Sequence, residues 1–316
     1  MAQPKNIVCL GGGIGTVKLL SGLKAYTENI SIIVSVADEG GSGGRMRRLY
    51  QMHPPGDVVS CLAAMAKSEE QAKLLTYRLP GDRYAEDHIL EGHKVGNIML
   101  VAATQIAGSF DAGIALLKEI FGVKAHIYAA TKDMVSISAR TIEGKIVEGE
   151  EAIDLGKYEG KRVLEHVFLH PENPNVDERV IQCLLDADVI IAGPGDLYTT
   201  SLPVLIIPSI KEALIKSKAE KYFILNVANK PFETKGYFVE DFISAITKHI
   251  GVFPFTKVVI NSNFSFSIPE KYHYTYVMKH TEALHEYQII EGNIVDEAFP
   301  LYHDSKKLAK LIWETI

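Results

Sequence analysis

The sequence predicts an α/β fold built on a mainly parallel sheet, and three observations lead to this prediction. Short apolar runs alternate with helical patterns along most of the chain. The runs at residues 7–10 (IVCL) and 31–37 (SIIVSVA) are almost continuously apolar, as expected for strands buried on both faces of a parallel sheet. Several such runs end at glycine or asparagine, the residue types that interrupt regular structure.

The first elements are strand 7–10, a helix at 17–26 and strand 31–37, which together form a βαβ unit. Residues 135–151 alternate with period two around Glu143 and Gly144, which predicts a β-hairpin added to the parallel core. The remaining predictions are helices at 58–67, 96–106, 110–121 and 305–314, and strands at 125–130, 188–192, 221–227 and 257–260.

The length allows one large α/β domain or two smaller ones, and the lack of an internal repeat, a low-complexity tract or a long linker favours one continuous domain. The 316 residues are 47% hydrophobic and 23% charged, enough to bury a sizeable core. We therefore predict a single domain over residues 1–316. Its α/β core spans residues 5–130 and 180–265, with an inserted β element at about 131–158 and a closing helix at about 304–315.

Several classes of protein are excluded by the same counts. The three cysteines contain no Cys-x-x-Cys pair, so neither a disulfide framework nor a zinc site is predicted. The net charge of -6 and the lack of a basic stripe argue against nucleic acid as a partner. No apolar window of about 18 residues and no signal-peptide core are present, so we expect a cytoplasmic protein without a membrane span.

Glycine-rich or polar segments follow the predicted strands. They are residues 11–16 (GGGIGT), 38–45 (DEGGSGGR) and 193–196 (GPGD). Because ligands of open parallel sheets bind beyond the carboxyl ends of the strands, we expect these segments to converge on one site. Glycine lets backbone N–H groups approach phosphate oxygens, and a following helix N-terminus attracts anions. The first segment matches neither GxGxxG nor the P-loop, so tight turns remain the alternative.

Other polar residues are candidates for binding a ligand or a metal ion, and each of them also has a possible structural role. Asp38 and Glu39 form an acidic pair suited to hydrated Mg²⁺, or else a solvated turn. Asp57 is placed to cap a helix. His93 can donate to a ligand or serve a structural role. After residue 196, Tyr198 can stack on a base or sugar while neighbouring hydroxyl groups contact phosphate, unless the segment is an ordinary capped turn.

The segments together resemble the YvcK/CofD-like family, specifically its YvcK branch. The resemblance covers the chain from the first strand to the last helix. The segments that carry it are residues 11–15 (GGGIG), 36–47 (VADEGGSGGRMR), 54–63 (PPGDVVSCLA), 92–97 (GHKVGN), 144–153 (GKIVEGEEAI), 193–201 (GPGDLYTTS) and 303–309 (HDSKKLA). Ile14, Glu39 and Gly43 depart from the family's usual Thr, Asp and Ser.

The resemblance implies a Rossmann-like, three-layer fold and a function in one of two classes. Proteins of the YvcK branch bind UDP-sugars and support gluconeogenic growth and cell-wall and cell-shape homeostasis, so a UDP-sugar-binding regulator that forms a homo-oligomer, a dimer, is expected. Proteins of the CofD branch are Mg²⁺-dependent 2-phospho-L-lactate transferases that act on a deazaflavin acceptor. A dehydrogenase with Asp38 on the ribose of NAD is a third alternative from the spacing of the first unit.

The sequence requires no cofactor, assigns no catalytic residue, and leaves Mg²⁺ at Asp38 and Glu39 as the candidate ion. The predicted nucleotide- and phosphate-binding residues are Gly11, Gly12, Gly13, Gly15, Thr16, Asp38, Gly40, Gly41, Ser42, Arg45, Asp57, His93, Asn97, Gly193, Gly195, Asp196, Tyr198, Thr199, Ser201, Asn226 and Asn261.

Overall fold

A parallel sheet forms the centre of the protein. The computed structural model describes residues 5–81, 90–161, 163–280 and 286–316, and within these ranges the sheet has seven strands. In spatial order the strands are β12 (Gln288–Gly292), β10 (Lys257–Asn261), β8 (Glu220–Ile224), β7 (Val189–Ala192), β1 (Ile7–Gly11), β2 (Ile30–Val34) and β3 (His126–Ala129). Every neighbouring pair is parallel.

Two small antiparallel sheets accompany the central one. The first has the order β5 (Ile146–Glu148), β4 (Ser136–Thr141) and β6 (Leu164–His170), and the second pairs β9 (Ala228–Asn229) with β11 (Thr275–Tyr276). The predicted hairpin is confirmed as β4 and β5, and Gly144 in its turn has a φ of 80°, which glycine adopts without steric cost. Strands β6, β9 and β11 of these sheets, and β12 of the central sheet, were not predicted from the sequence.

Helices flank the central sheet. They are α1 (Gly13–Leu23), α2 (Gly41–Tyr50), α3 (Gly56–Met65), α4 (Glu69–Thr76), α5 (Val95–Ala107), α6 (Phe110–Ile120), α7 (Glu150–Asp154), α8 (Glu178–Leu185), α9 (Leu202–Leu205), α10 (Pro208–Lys216), α11 (Val239–Ile250) and α12 (Ser305–Thr315). In the described ranges no single helix is long and apolar enough to cross a membrane; α5 and α6 satisfy that test only jointly, across a bend of 116°.

The core lies between the sheet and these helices. The strands at its centre carry branched side chains that are fully buried, such as Ile32, Val34 and Ile190. Since both faces of such a strand are covered, apolar residues occupy consecutive positions. The α/β fold with a parallel sheet, predicted from these runs, is confirmed.

The strand order determines where a ligand can bind. The chain proceeds from β1 to β2 and β3 on one side, and then returns to place β7 on the other side of β1. At such a reversal the loops beyond the two central strands diverge and leave a crevice. The segments after β1 and β7 are two of the glycine-rich segments singled out in the sequence.

Candidate functional site

A cleft of about 730 Å³ opens at the carboxyl ends of the strands. One side is formed by Gly12, Gly13 and Gly15 at the start of α1, and the adjoining side by Gly195 and Asp196 after β7. The sequence prediction that these two segments converge therefore agrees with the structure.

Thr16 joins the two segments. Its hydroxyl group accepts a hydrogen bond from Gly12 N–H at 3.0 Å and donates one to the Pro194 carbonyl oxygen at 3.3 Å. The side chain is fully buried, so it holds the loop in place and does not face the cleft. Gly15 permits this approach, because a Cβ atom there would lie 2.4 Å from the Pro194 oxygen.

A smaller cavity of about 190 Å³ adjoins the cleft, and we call it the side chamber. The first turns of α2, α3 and α5 line it, together with Lys94 and Arg78. Residues 41–44, which the sequence suggested as a loop, instead form the beginning of α2. Glycine allows this tight start, since a Cβ atom on Gly44 would lie 1.7 Å from the Glu39 oxygen.

Four carboxyl groups lie where the cleft meets the side chamber: Asp38, Asp57, Glu150 and Asp154. Asp38 accepts a hydrogen bond from Gly40 N–H at 2.9 Å and is hydrogen-bonded to the Glu150 carboxyl group. Two carboxyl groups can form such a bond only by sharing a proton. Burial, strengthened by the charge of Asp38, raises the pKa of Glu150 to about 10 and that of Asp57 to about 7.

Glu39 does not join this cluster. Its backbone N–H donates to Glu150 Oε2 at 3.3 Å, while its own Oε2 accepts from Glu150 N–H at 3.2 Å. Its carboxylate also pairs with Arg47 at 3.6 Å, in a hollow separate from the cleft. The Asp38–Glu39 pair predicted to hold Mg²⁺ therefore does not converge on one point, and Glu39 instead connects the segment before α2 to α7.

A hydrogen-bonded chain lies behind the start of α2. The hydroxyl group of Ser42 contacts Nδ1 of His93 at 2.8 Å and accepts from Asn97 Nδ2 at 2.9 Å. All three side chains are buried. Burial, aided by the charges of Arg45 and Arg78, lowers the pKa of His93, so its imidazole is neutral near pH 7.

A lysine in the cleft contacts a second cluster of acidic residues. This cluster was not predicted from the sequence. The ammonium of Lys230 contacts Asp196 at 2.7 Å, Glu233 at 3.3 Å and also Asp154. These three carboxylates are close enough together to hold a metal ion, but the ammonium occupies the position between them. No motif marks Lys230, because its partners come from three separate segments of the chain.

Side chains in the segment after Gly195 that were predicted to contact a ligand make hydrogen bonds within the protein. Tyr198 is only 1% exposed, and its hydroxyl group donates to the Leu164 carbonyl at 3.2 Å, so it does not stack on a ligand in the cleft. The hydroxyl group of Thr199 donates to Glu233 at 2.7 Å. Thr200, one of the neighbouring hydroxyl residues that the sequence suggested for phosphate contact, also lines the cleft.

The two asparagines differ in position. Asn226 lines the cleft, and its Nδ2 donates to Asp196 Oδ1 at 3.4 Å. Asn261 is buried outside the cleft, where its Oδ1 accepts from Ile294 N–H at 3.3 Å. It therefore orders the segment after β10.

Aromatic side chains form the far wall of the cleft. They are Phe232, Tyr272, Tyr274 and Tyr302, and we call them the aromatic wall. Tyr302 is stacked on Phe299 with ring centroids 5.4 Å apart, which supports the wall from behind. None of these four residues was among those predicted from the sequence, in which Tyr198 was the aromatic candidate. Phe232 follows β9, Tyr272 and Tyr274 precede β11, and Tyr302 precedes α12, so the wall comes from separate segments that show no periodic pattern.

The predicted residues thus divide into two groups. Those lining the cleft or the side chamber are Gly12, Gly13, Gly15, Asp38, Gly40, Gly41, Ser42, Asp57, Asn97, Gly195, Asp196, Thr199 and Asn226. Those outside both linings are Gly11, Thr16, Glu39, Arg45, His93, Gly193, Tyr198, Ser201 and Asn261. Arg45, expected near a diphosphate, instead donates to the Glu91 carbonyl oxygen at 2.8 Å.

Comparisons with known proteins give consistent similarities. The profile of a family described as 2-phospho-L-lactate transferase CofD matches residues 7–313. The gluconeogenesis factor of Bacillus subtilis is 34% identical over 322 aligned residues, covering 99% of this chain and 98% of that protein. The gluconeogenesis factor of Halalkalibacterium halodurans is 38% identical over 250 residues, covering 79% and 75%. A crystal structure of a UPF0052 family protein from Bacillus halodurans is similar with a TM-score of 0.87 and 31% identity, covering 99% of this chain and 100% of that chain.

Proposed function

This chain belongs to the CofD family, and on that basis we propose that it is a cytoplasmic regulatory protein that binds a UDP-sugar in the cleft. The protein binds the UDP-sugar without converting it, and the bound state is what regulates other processes. We assign it a role in gluconeogenic growth because its relatives are named gluconeogenesis factors. We assign it a role in cell-wall and cell-shape homeostasis because its motifs resemble those of the YvcK branch. A homodimer is the proposed assembly.

One feature of the cleft supports this function most directly. A glycine-lined helix N-terminus lies on one side, and an aromatic wall lies on another. Helix α1 has no acidic residue in its own first turn. The Gly12 and Gly13 N–H groups donate to Thr16 and to the Asp57 carboxyl group, so the N–H groups that follow them are the ones suited to an anion. A nucleotide sugar combines the two matching parts, a diphosphate and a planar base.

We place the diphosphate along residues 12–15 and Gly195, and the base against the aromatic wall. Asn226 and Asp196 then face the ligand's hydroxyl groups, for which amide and carboxylate oxygens are suitable acceptors. Because burial raises the pKa of Asp57 and of Glu150, these residues are ionised to a smaller extent than exposed carboxyl groups and repel a diphosphate less.

Calorimetric titration with UDP-N-acetylglucosamine and UDP-glucose tests this function, with NAD, NADP and GDP as comparison ligands. We expect heat of binding for a UDP-sugar and no product when the mixture is analysed by chromatography afterwards. The absence of binding at millimolar UDP-sugar would contradict the proposal. Light scattering on the same sample measures the oligomeric state.

A Mg²⁺-dependent 2-phospho-L-lactate transferase is the second candidate function. The aromatic wall favours it as well, because the cleft has room for a flat deazaflavin ring against Tyr272 or Tyr302. The assay supplies a phospholactyl donor, a deazaflavin acceptor and Mg²⁺, and follows the phosphorylated product. Turnover in this assay would replace the binding-protein proposal, and NAD binding alone would favour the dehydrogenase alternative.

A further inference from the structure

Acidic side chains outnumber lysines in the lining of the cleft. Among the described residues, the lining holds five carboxyl groups and two lysines: Asp38, Asp57, Glu150, Asp154, Asp196, Lys230 and Lys271. A nucleotide sugar brings the negative charge of its diphosphate into this cleft. Because like charges repel each other across a binding surface, the ligand binds better where a cation of the protein lies against its phosphates.

Lys230 is not available as this cation. Its ammonium contacts Asp196 at 2.7 Å, Glu233 at 3.3 Å and also Asp154. Glu233 is fully buried, and a buried carboxylate that loses its cation is strongly destabilising. A movement of Lys230 toward a ligand would break these contacts, so its charge stays with the three carboxylates.

Lys271 has no such partner. Its side chain is exposed, and its ammonium forms no ion pair with any residue in the part of the chain that the structure describes. The ammonium instead lies over the ring of Tyr272, with Nζ 4.9 Å from the ring centroid. Of the two lysines in the lining, Lys271 is therefore the one whose charge can meet a ligand.

The backbone at His273 directs Lys271 into the cleft. Residues 271–274 are consecutive and all four line the cleft, whereas successive residues of a strand would point to opposite sides. A short 3₁₀ helix (Glu270–Tyr272) ends at His273, which has a φ of 57° and a ψ of 21°. This left-handed conformation is uncommon for a residue other than glycine. The turn brings the Lys271 ammonium to the same side as Tyr272 and Tyr274 of the aromatic wall.

The ring of Tyr272 can exchange the ammonium for the base of a nucleotide. A cation–π contact at an exposed site is weak, whereas a hydrogen bond between an ammonium and a phosphate is charge-assisted and about twice as strong as a neutral one. Stacking of a base on an aromatic ring is favourable as well. Phe299 contacts Tyr272 with ring centroids 5.7 Å apart, which supports the ring when Lys271 leaves it.

We propose that Lys271 is the residue that binds the diphosphate by charge: its ammonium leaves the ring of Tyr272 and pairs with the phosphate oxygens, and the base takes its place on the ring. The flexible four-carbon stem of lysine permits this movement. The assignment deepens the proposed function and rests on it. It follows that the cleft selects nucleoside diphosphate compounds over uncharged nucleosides and needs no divalent cation to do so.

Calorimetric titration of the full chain with UDP-glucose, in the presence of EDTA, tests this assignment. Lys271→Met removes the charge and keeps a long side chain, and we expect it to weaken binding about tenfold or more. Lys271→Arg keeps the charge and should bind within about threefold of the wild type. Lys218→Met is the matched control, because Lys218 is an exposed lysine outside the lining of the cleft, and its affinity should equal that of the wild type.

Salt dependence gives a second measurement of the same charge. Raising the salt concentration should weaken UDP-glucose binding less in Lys271→Met than in the wild type, because screening acts on a charge that the variant lacks. Equal affinity of Lys271→Met and the wild type would overturn the proposal. So would a loss in Lys271→Arg as large as in Lys271→Met, or an equal loss in Lys218→Met.

Inorganic pyrophosphate, titrated in parallel, separates this proposal from the proposed function. If UDP-glucose fails to bind the wild type while pyrophosphate binds and is weakened by Lys271→Met, the proposed function is wrong and the assignment of Lys271 stands. If UDP-glucose binds the wild type and Lys271→Met alike, the proposed function stands and the assignment is wrong. Failure of both ligands to bind the wild type contradicts both.

Discussion

The burial of the Asp57 carboxyl group makes the stability of the folded protein depend on pH. Its pKa is raised from 3.8 to about 7 in the folded protein, mainly because the carboxyl group is buried. Between these two values the folded state keeps a proton that the unfolded state releases. The contribution of Asp57 to the free energy of unfolding therefore falls as pH rises from about 4 to about 7, and is constant at higher pH.

Asp57→Asn removes this titration and keeps an acceptor oxygen. We expect the variant to be more stable than the wild type at pH 8 by up to about 4 kcal/mol, with a smaller difference at pH 5. Urea unfolding at both pH values measures the two differences. Equal differences at pH 5 and pH 8 would show that Asp57 does not keep its proton in the folded state.

Variants of the single residue Tyr302 test whether the aromatic wall contributes to ligand binding. Tyr302→Leu removes the ring that is stacked on Phe299, and Tyr302→Phe keeps it. Because stacking of an aromatic pair contributes about 1 kcal/mol, we expect the Leu variant to bind a UDP-sugar about fivefold more weakly. The Phe variant should bind like the wild type, and a loss in both would assign the effect to the hydroxyl group instead.

At the scale of elements, the crossing of α1 and α12 depends on Gly22. A Cβ atom there would lie 2.0 Å from the Ser305 carbonyl oxygen and 2.5 Å from the Ala309 Cβ. Gly22→Ala favours the helix by about 1 kcal/mol in propensity, but it forces the two helices apart. We expect a net loss of about 2 kcal/mol in the free energy of unfolding, measured with urea. The control Ser21→Ala, one residue earlier in α1, should change it by less than about 0.5 kcal/mol.

Lys230 connects elements that are far apart in the chain. Its ammonium bridges α7, the segment after β7 and the buried Glu233, so Lys230→Met leaves three carboxylates without a counter-charge. Breaking a buried ion pair costs about 3–5 kcal/mol. Lys124→Met, which removes an exposed pair with Glu28, should cost less than about 1 kcal/mol. Similar losses of stability in the two variants would contradict the assigned role of Lys230.

The local order of the chain was sufficient to predict six of the seven described strands of the central sheet and the glycine segments that follow two of them. Each of those features is contained in a few consecutive residues, as at residues 7–15. The partners of Lys230 and the aromatic wall were not predictable, because they come together only through the fold. Thr16 and Tyr198 show the converse case: their residue types suit a ligand, but their hydroxyl groups bond to Pro194 and Leu164.

At the scale of the whole molecule, the cleft joins both halves of the central sheet. Residues 12–15 belong to the half containing β1 and β2, whereas Asn226 and Tyr302 belong to the half containing β8 and β10. We expect a bound UDP-sugar to slow amide hydrogen exchange in both halves, because ligand binding stabilises the closed arrangement of every segment that it contacts. Protection confined to residues 12–15 would show that the aromatic wall does not take part.

Gly12 and Tyr302 are far apart along the chain, so the two sides of the cleft are synthesised at different times. Both residues line the cleft, so the first strand and loop are made long before the wall that faces them. A nascent chain on the ribosome therefore carries residues 12–15 without the aromatic wall. On the proposed function, a nucleotide sugar binds only when translation has passed residue 302, and from that moment it stabilises the fold of the chains that extend past this residue.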